Sequence, residues 1–207
     1  MNPCIANLLK DDIKVTRFVK NLPIAFEIVA NEMPKGNPAI GILREHVIIG
    51  YFISEFGQNK IRVPEEGNKR EFDVEVCGEP LSIKTITGNS LVKILWTADQ
   101  TIVNEEIAYR YHPETDMFLI TIHWGKTQNS VFYIPKHVQS ETYNQLGAAH
   151  YLRVASNTNH RGITIASKAM KTLKCHSDTL SCVVGWYKRG LHSSPYERWE
   201  NYWAQIQ

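Results

Sequence analysis

The chain has 207 residues, 43% of them apolar and 21% charged, with a formal net charge of +2. That length allows roughly 70% of the extended-chain surface to be buried, and no apolar run approaches the roughly 18 residues of a membrane span. A nearly neutral sum leaves the class of partner open, because a chain can gather Lys and Arg on one surface while keeping carboxylates elsewhere. With no repeat or low-complexity tract, residues 1–207 are expected to form one domain. The first ten residues lack a basic start followed by a long apolar stretch, so a cytoplasmic protein is expected.

The N-terminal part, residues 1–57, reads as helical. Apolar residues recur at three-and-four spacing over 5–18 and 23–33, with Pro23 suited to a first helical turn. Lys35-Gly36-Asn37-Pro38 is a turn, and residues 39–56 carry a strong helical pattern ended by Gly57. After a polar connection containing Pro64 and Gly67 the period changes to two. Phe72, Val74 and Val76 alternate with Asp73, Glu75 and Cys77, and Leu81, Ile83 and Thr85 alternate with Ser82 and Lys84, with Gly78-Glu79 as the turn between them. The hairpin and the sheet it opens would span 70–134, with further strands at 91–96, 117–124 and 130–134. Strands at 150–154 and 180–187 and helices at 136–146, 163–173 and 196–206 follow. This order predicts an α/β (α+β) fold around a central sheet.

Cys4, Cys77, Cys175 and Cys182 contain no CxxC pair and read as ordinary thiols of a reducing compartment. Cys175-His176 as a metal-ligating pair is the alternative.

A turn at Gly78-Glu79 would pair Cys77 with Pro80, Glu75 with Ser82 and Asp73 with Lys84, bringing Asp73, Glu75 and Lys84 onto one face. The opposite face is apolar. Hard cations such as Mg2+ take carboxylate oxygens together with water and substrate phosphate, and a neighbouring lysine can position water or neutralise charge on phosphorus. The plainer reading is a solvated hairpin with an ordinary cross-strand ion pair.

Phe72-Asp73 through Ser82-Ile83-Lys84-Thr85 resembles the PD-(D/E)XK nuclease signature, in which one strand supplies an Asp and the next an acid-x-Lys triplet. The resemblance implies a PD-(D/E)XK nuclease-like central mixed β-sheet flanked by helices. It also implies a type II restriction endonuclease that hydrolyses double-stranded DNA with Mg2+, for which Mn2+ may substitute. Asp73 then matches the metal-binding aspartate and Lys84 the catalytic lysine, while Ser82 stands where the family has Glu or Asp. Glu75 is the first candidate to replace that acid and Asp99 the second. Gly41-Ile42-Leu43-Arg44-Glu45 is similar to a Gly-x-x-Arg-Glu pattern preceding the core of some restriction enzymes, which adds Glu45 as a catalytic candidate. An Arg-Glu pair on an apolar helix also fits its solvated edge.

For DNA recognition the candidates are Asn157, Asn159, His160 and Arg161, followed by Lys168, Lys171 and Lys174. Asn and Arg can read adenine and guanine edges, and lysines can meet phosphates. A polar turn and helix cap is the competing reading. Lys126, Lys136, His137, Lys188, Arg189 and Arg198 could extend the basic surface. Palindromic sites favour a homodimer, with the amphipathic last helix packing on the body or on a second subunit. The rival functions are another PD-(D/E)XK nuclease of repair or recombination, and a non-catalytic DNA-binding protein with a decayed core.

Overall fold

The computed structural model describes residues 1–33, 37, 39–64, 72–95, 111–154, 163–191 and 196–205. Helix α1 (Pro3–Lys10) begins at Asn2, whose side chain accepts the backbone N–H groups of Cys4 and Ile5. Helix α2 (Asp12–Glu32) begins at Asp11, which caps Ile13 and Lys14 in the same way. The pattern expected as one helix over 5–18 is therefore split, because an aspartate at a helix start satisfies backbone donors that an interior position leaves to the helix itself. Pro23 lies inside α2 and not in a first turn. The apolar face of Phe18, Leu22, Phe26 and Val29 is buried on both sides of it, and that burial outweighs the lost backbone hydrogen bond. Helix α3 (Ile40–Phe56) ends at Gly57, whose φ of 87° lets its N–H reach the Ile53 carbonyl.

The strands are β1 (Ile61–Arg62), β2 (Val74–Val76), β3 (Glu79–Thr87), β4 (Lys93–Leu95), β5 (Asp116–Ile122), β6 (Thr127–Ile134), β7 (Leu152–Val154), β8 (Ile163–Ile165) and β9 (Leu180–Gly185). The helices after β6 are α4 (Lys136–Leu146), the short α5 (Ala148–Tyr151), α6 (Ser167–Cys175) and α7 (Glu197–Gln205). The main sheet has the order β1-β2-β3-β5-β6-β9, and a three-stranded sheet has the order β4-β8-β7. β3 and β5 run parallel and the other neighbours in the main sheet antiparallel, so the sheet is mixed.

Residues 163–173 depart from the single helix expected of them. Ile163-Thr164-Ile165 forms β8, held between β4 and β7, and only then does α6 start. Three β-branched residues with both isoleucines fully buried fit a pleated strand better than a helical turn.

Seven consecutive residues of β5 are buried. Phe118, Ile120 and Ile122 join the core formed with α1, α2 and α3, whereas Met117 and Leu119 join a second core with Val138, Tyr143, Ile163, Ile165 and Leu173. A strand covered on both faces loses the alternation of a half-exposed one. The sheet is thus flanked by helices on both sides, and the β2–β3 hairpin lies toward one edge of it.

Candidate active site

The hairpin turns at Cys77-Gly78 and not at Gly78-Glu79. Cys77 has φ 53° and Gly78 φ 85°, the pair of positive values that a two-residue primed turn requires. Val74 therefore opposes Leu81, Glu75 opposes Pro80 and Val76 opposes Glu79. The expected pairing of Glu75 with Ser82 and of Asp73 with Lys84 is corrected by this shift. Cys77 is held in its uncommon conformation by a disulfide to Cys4 and by its own N–H, which donates to the Lys60 carbonyl at 2.8 Å. The reading of all four cysteines as ordinary thiols is corrected for these two; Cys175 and Cys182 are free.

The shift places Asp73 beside Ser82. One carboxylate oxygen of Asp73, Oδ2, accepts from Ser82 Oγ at 3.1 Å, from the Ile83 backbone N–H at 2.6 Å and from Lys84 Nζ at 3.2 Å. The Asp73 N–H itself donates to the Leu81 carbonyl at 3.0 Å. The serine in the acid's usual position is thus a donor that fixes the aspartate. Only the true register reveals this role.

Glu75 is turned to β1. Arg62 grips its carboxylate with two bonds, Nε to Oε2 at 2.9 Å and Nη2 to Oε1 at 3.0 Å. Such a fork occupies both oxygens.

Glu45 reaches the hairpin from α3. Its carboxyl is pushed up to about 7, first by burial and then by the Asp73 charge, with Lys84 opposing the rise. Arg44 does not lie on a solvated edge: it is buried, donates from Nη1 to Thr87 Oγ1 at 3.2 Å and stacks its guanidinium 5.7 Å from the Phe26 ring centre. Anchoring Arg44 this way fixes the turn of helix that presents Glu45. A cleft of about 540 Å³ opens beside these groups, lined by Gly41, Glu45, Lys84, Thr85, Thr87 and Ser90 among others.

Among the described residues, no three His, Cys, Asp or Glu side chains are grouped to hold a metal ion. The donor set that is present consists of two carboxylates within electrostatic reach of each other, with one ammonium beside them. The Asp73 charge adds to the cost of ionising Glu45, which a hard divalent cation would relieve. One or two carboxylates are the usual protein share of a Mg2+ site completed by water and phosphate, so the residues fit such an ion.

Asp99, Asn157, Asn159, His160 and Arg161 lie outside the described residues. Lys168 is exposed on α6 and is not one of the described residues that line the cleft beside Lys84. Lys171, one turn on, lines a neighbouring cavity instead.

A family model described as restriction endonuclease ThaI matches residues 8–205. The chain belongs to the ThaI restriction endonuclease family. It is a type II restriction endonuclease, a site-specific DNA nuclease. A solved structure described as a restriction endonuclease in complex with substrate DNA superposes on this ThaI-family chain with a TM-score of 0.87 and 29% identity, covering 97% of this chain and 99% of that one. No curated protein matches the chain. Restriction endonucleases generally need divalent metals, and the ThaI-family chain presents its two adjoining carboxylates in that context.

Proposed function

We propose that this enzyme is a PD-(D/E)XK nuclease that cuts double-stranded DNA at a centre made by Asp73, Glu45 and Lys84. The observation that carries the reading is the convergence of Ser82 Oγ, Ile83 N–H and Lys84 Nζ on Asp73 Oδ2, which holds one carboxylate against an ammonium that lines the cleft. Asp73 and Glu45 would hold Mg2+, for which Mn2+ can substitute. The ion, when bound, supplies Lewis-acid polarisation of the phosphoryl oxygens and a more acidic water.

The chain's own groups do the rest. Lys84 donates from Nζ to a non-bridging phosphate oxygen and offsets the negative charge that grows there. Ser82 and the Ile83 N–H keep Asp73 in one orientation, so that little side-chain freedom is lost on loading. Glu75, engaged with Arg62, supports the edge strand, and Asp99 is the further candidate for a third acid. Asn157, Asn159, His160 and Arg161 are assigned to base reading, and Lys168 and Lys171 to phosphates. One domain over residues 1–207 acts as a homodimer, so that two such centres serve the two strands, and the cytoplasm is the inferred place of action.

The test is plasmid cleavage in Mg2+ by the intact protein and by Asp73→Ala and Lys84→Ala. The wild type gives discrete bands. Each variant loses cleavage by on the order of 10²–10³-fold or more while retaining duplex binding. Undiminished cleavage by both variants overturns the assignment.

A further inference from the structure

We propose that the cavity between the β3–β4 turn, the end of β5 and α6 is a seat for a backbone phosphate of DNA, held by Lys171, Lys174 and His123. This inference rests on the nuclease reading and extends it to a second site along the same strand. The cavity has a volume of about 410 Å³, and its polar lining includes Asn89, Ser90, Ser167, His123, Lys171 and Lys174.

The chemistry is one-sided. Among the described residues, none of Lys171, Lys174 and His123 forms an ion pair with a carboxylate. Lys174 is partly buried, with its ammonium 4.7 Å from the centre of the Phe132 ring, and burial draws its pKa down. His123 is drawn down as well, by burial and then by the positive charges of Lys126 and Lys174. A partly desolvated ammonium without a counter-charge is unfavourable, and the positive neighbours add to the cost. A bound anion removes it.

Position says which anion. The recess shares Ile86, Ser90, Leu91 and Val92 with the cleft that contains Lys84 and Glu45, so the two hollows adjoin at the β3–β4 turn. A strand whose scissile phosphate lies at Lys84 has further phosphates on either side of it. Lys171 and Lys174, three residues apart on α6, present a common face to this recess, which Lys168 does not line. Lysine contacts to phosphate fix the position of the duplex and carry no sequence information.

The experiment measures binding of a labelled random-sequence duplex of about 20 base pairs, without divalent ions, across a salt series, for wild type, Lys171→Ala, Lys174→Gln and the double variant. Removing one phosphate-binding lysine lowers the slope of log K against log salt by about 0.9. The expected decreases are about 1 for each single variant and about 2 for the double variant, equal on unrelated sequences. Lys171 is exposed, so its variant keeps the test valid if Lys174→Gln does not fold. A neutral methylphosphonate walked along one strand should weaken wild-type binding at one position and leave the double variant indifferent there. An unchanged slope, or a deficit confined to one sequence, overturns the phosphate seat. Discrete plasmid bands from wild type alongside an unchanged slope remove the seat and leave the nuclease reading standing, whereas absence of bands removes both.

Discussion

Glu45 occupies a site that suits a neutral carboxyl better than an ionised one. In the folded protein its carboxyl is raised to about 7 from 4.5, so the ionised form is disfavoured by folding. The sign follows: the penalty is absent below about pH 4.5, grows as pH rises toward 7 and is constant above that. Discounted for partial exposure, it amounts to on the order of 1–2 kcal/mol. Metal-free Glu45→Gln is therefore expected to melt at a higher temperature than wild type at pH 8, with the difference vanishing near pH 4.5; equal melting at pH 8 contradicts the burial argument. That Asp73 and Lys84 lie within reach of each other is legible in the two-residue period, which puts both on the polar face of the hairpin. Glu75 is not placed correctly by sequence, because a cysteine at positive φ gives no signal there and glycine followed by a polar residue looks the better turn. Ser82 shows in sequence only that an acid is missing, since the use of its hydroxyl depends on that same register.

The Cys4–Cys77 bond works at the level of elements, since it joins α1 to the tip of the hairpin that carries Asp73 and Lys84. The two cysteines are 73 residues apart in sequence, and closing a loop of that order restricts the unfolded chain by about 4 kcal/mol in the entropic account. Urea unfolding with and without reductant, and of Cys4→Ser, is expected to show a loss of about 2–4 kcal/mol. Identical midpoints would mean that the cross-link contributes nothing. Elements with one clear period are legible: α4 occupies 136–146 as its pattern indicates. Those that change period within a few residues are not. Ile163 to Leu173 contains apolar spacings compatible with a helix throughout, and the pairing with β4 and β7 lets the β-branched preference of its first three residues prevail.

For the molecule as a whole, the last helix raises the question of assembly. α7 leaves Tyr202 50% and Trp203 64% exposed, with their rings in an edge-on contact at 5.4 Å, and Tyr196 just before it is 68% exposed. Adjacent exposed aromatics of this kind suit a self-association surface, in line with the homodimer proposed for two-strand cleavage. Sedimentation of wild type should give a dimer and Tyr202→Ser/Trp203→Ser a lighter species that nicks plasmid before linearising it; an unchanged sedimentation coefficient rejects this helix as the contact. The mixed sheet flanked by helices is legible from the order of strand-like and helix-like segments. Its strand order is not, because the parallel pairing of Leu81 with Asp116 joins residues with no local sequence relation.

Strand β5, covered along its whole length, also sets how this enzyme can deform. Rotating one half of the protein against the other about that strand would wet Phe118 and Ile120 on one side or Met117 and Leu119 on the other, all of them excluded from solvent. The centre of the sheet therefore behaves as a stiff spar. The hairpin with Asp73 and Lys84 is tied into that spar by the pairing of β3 with β5, which makes it a fixed anvil against which the DNA must be brought.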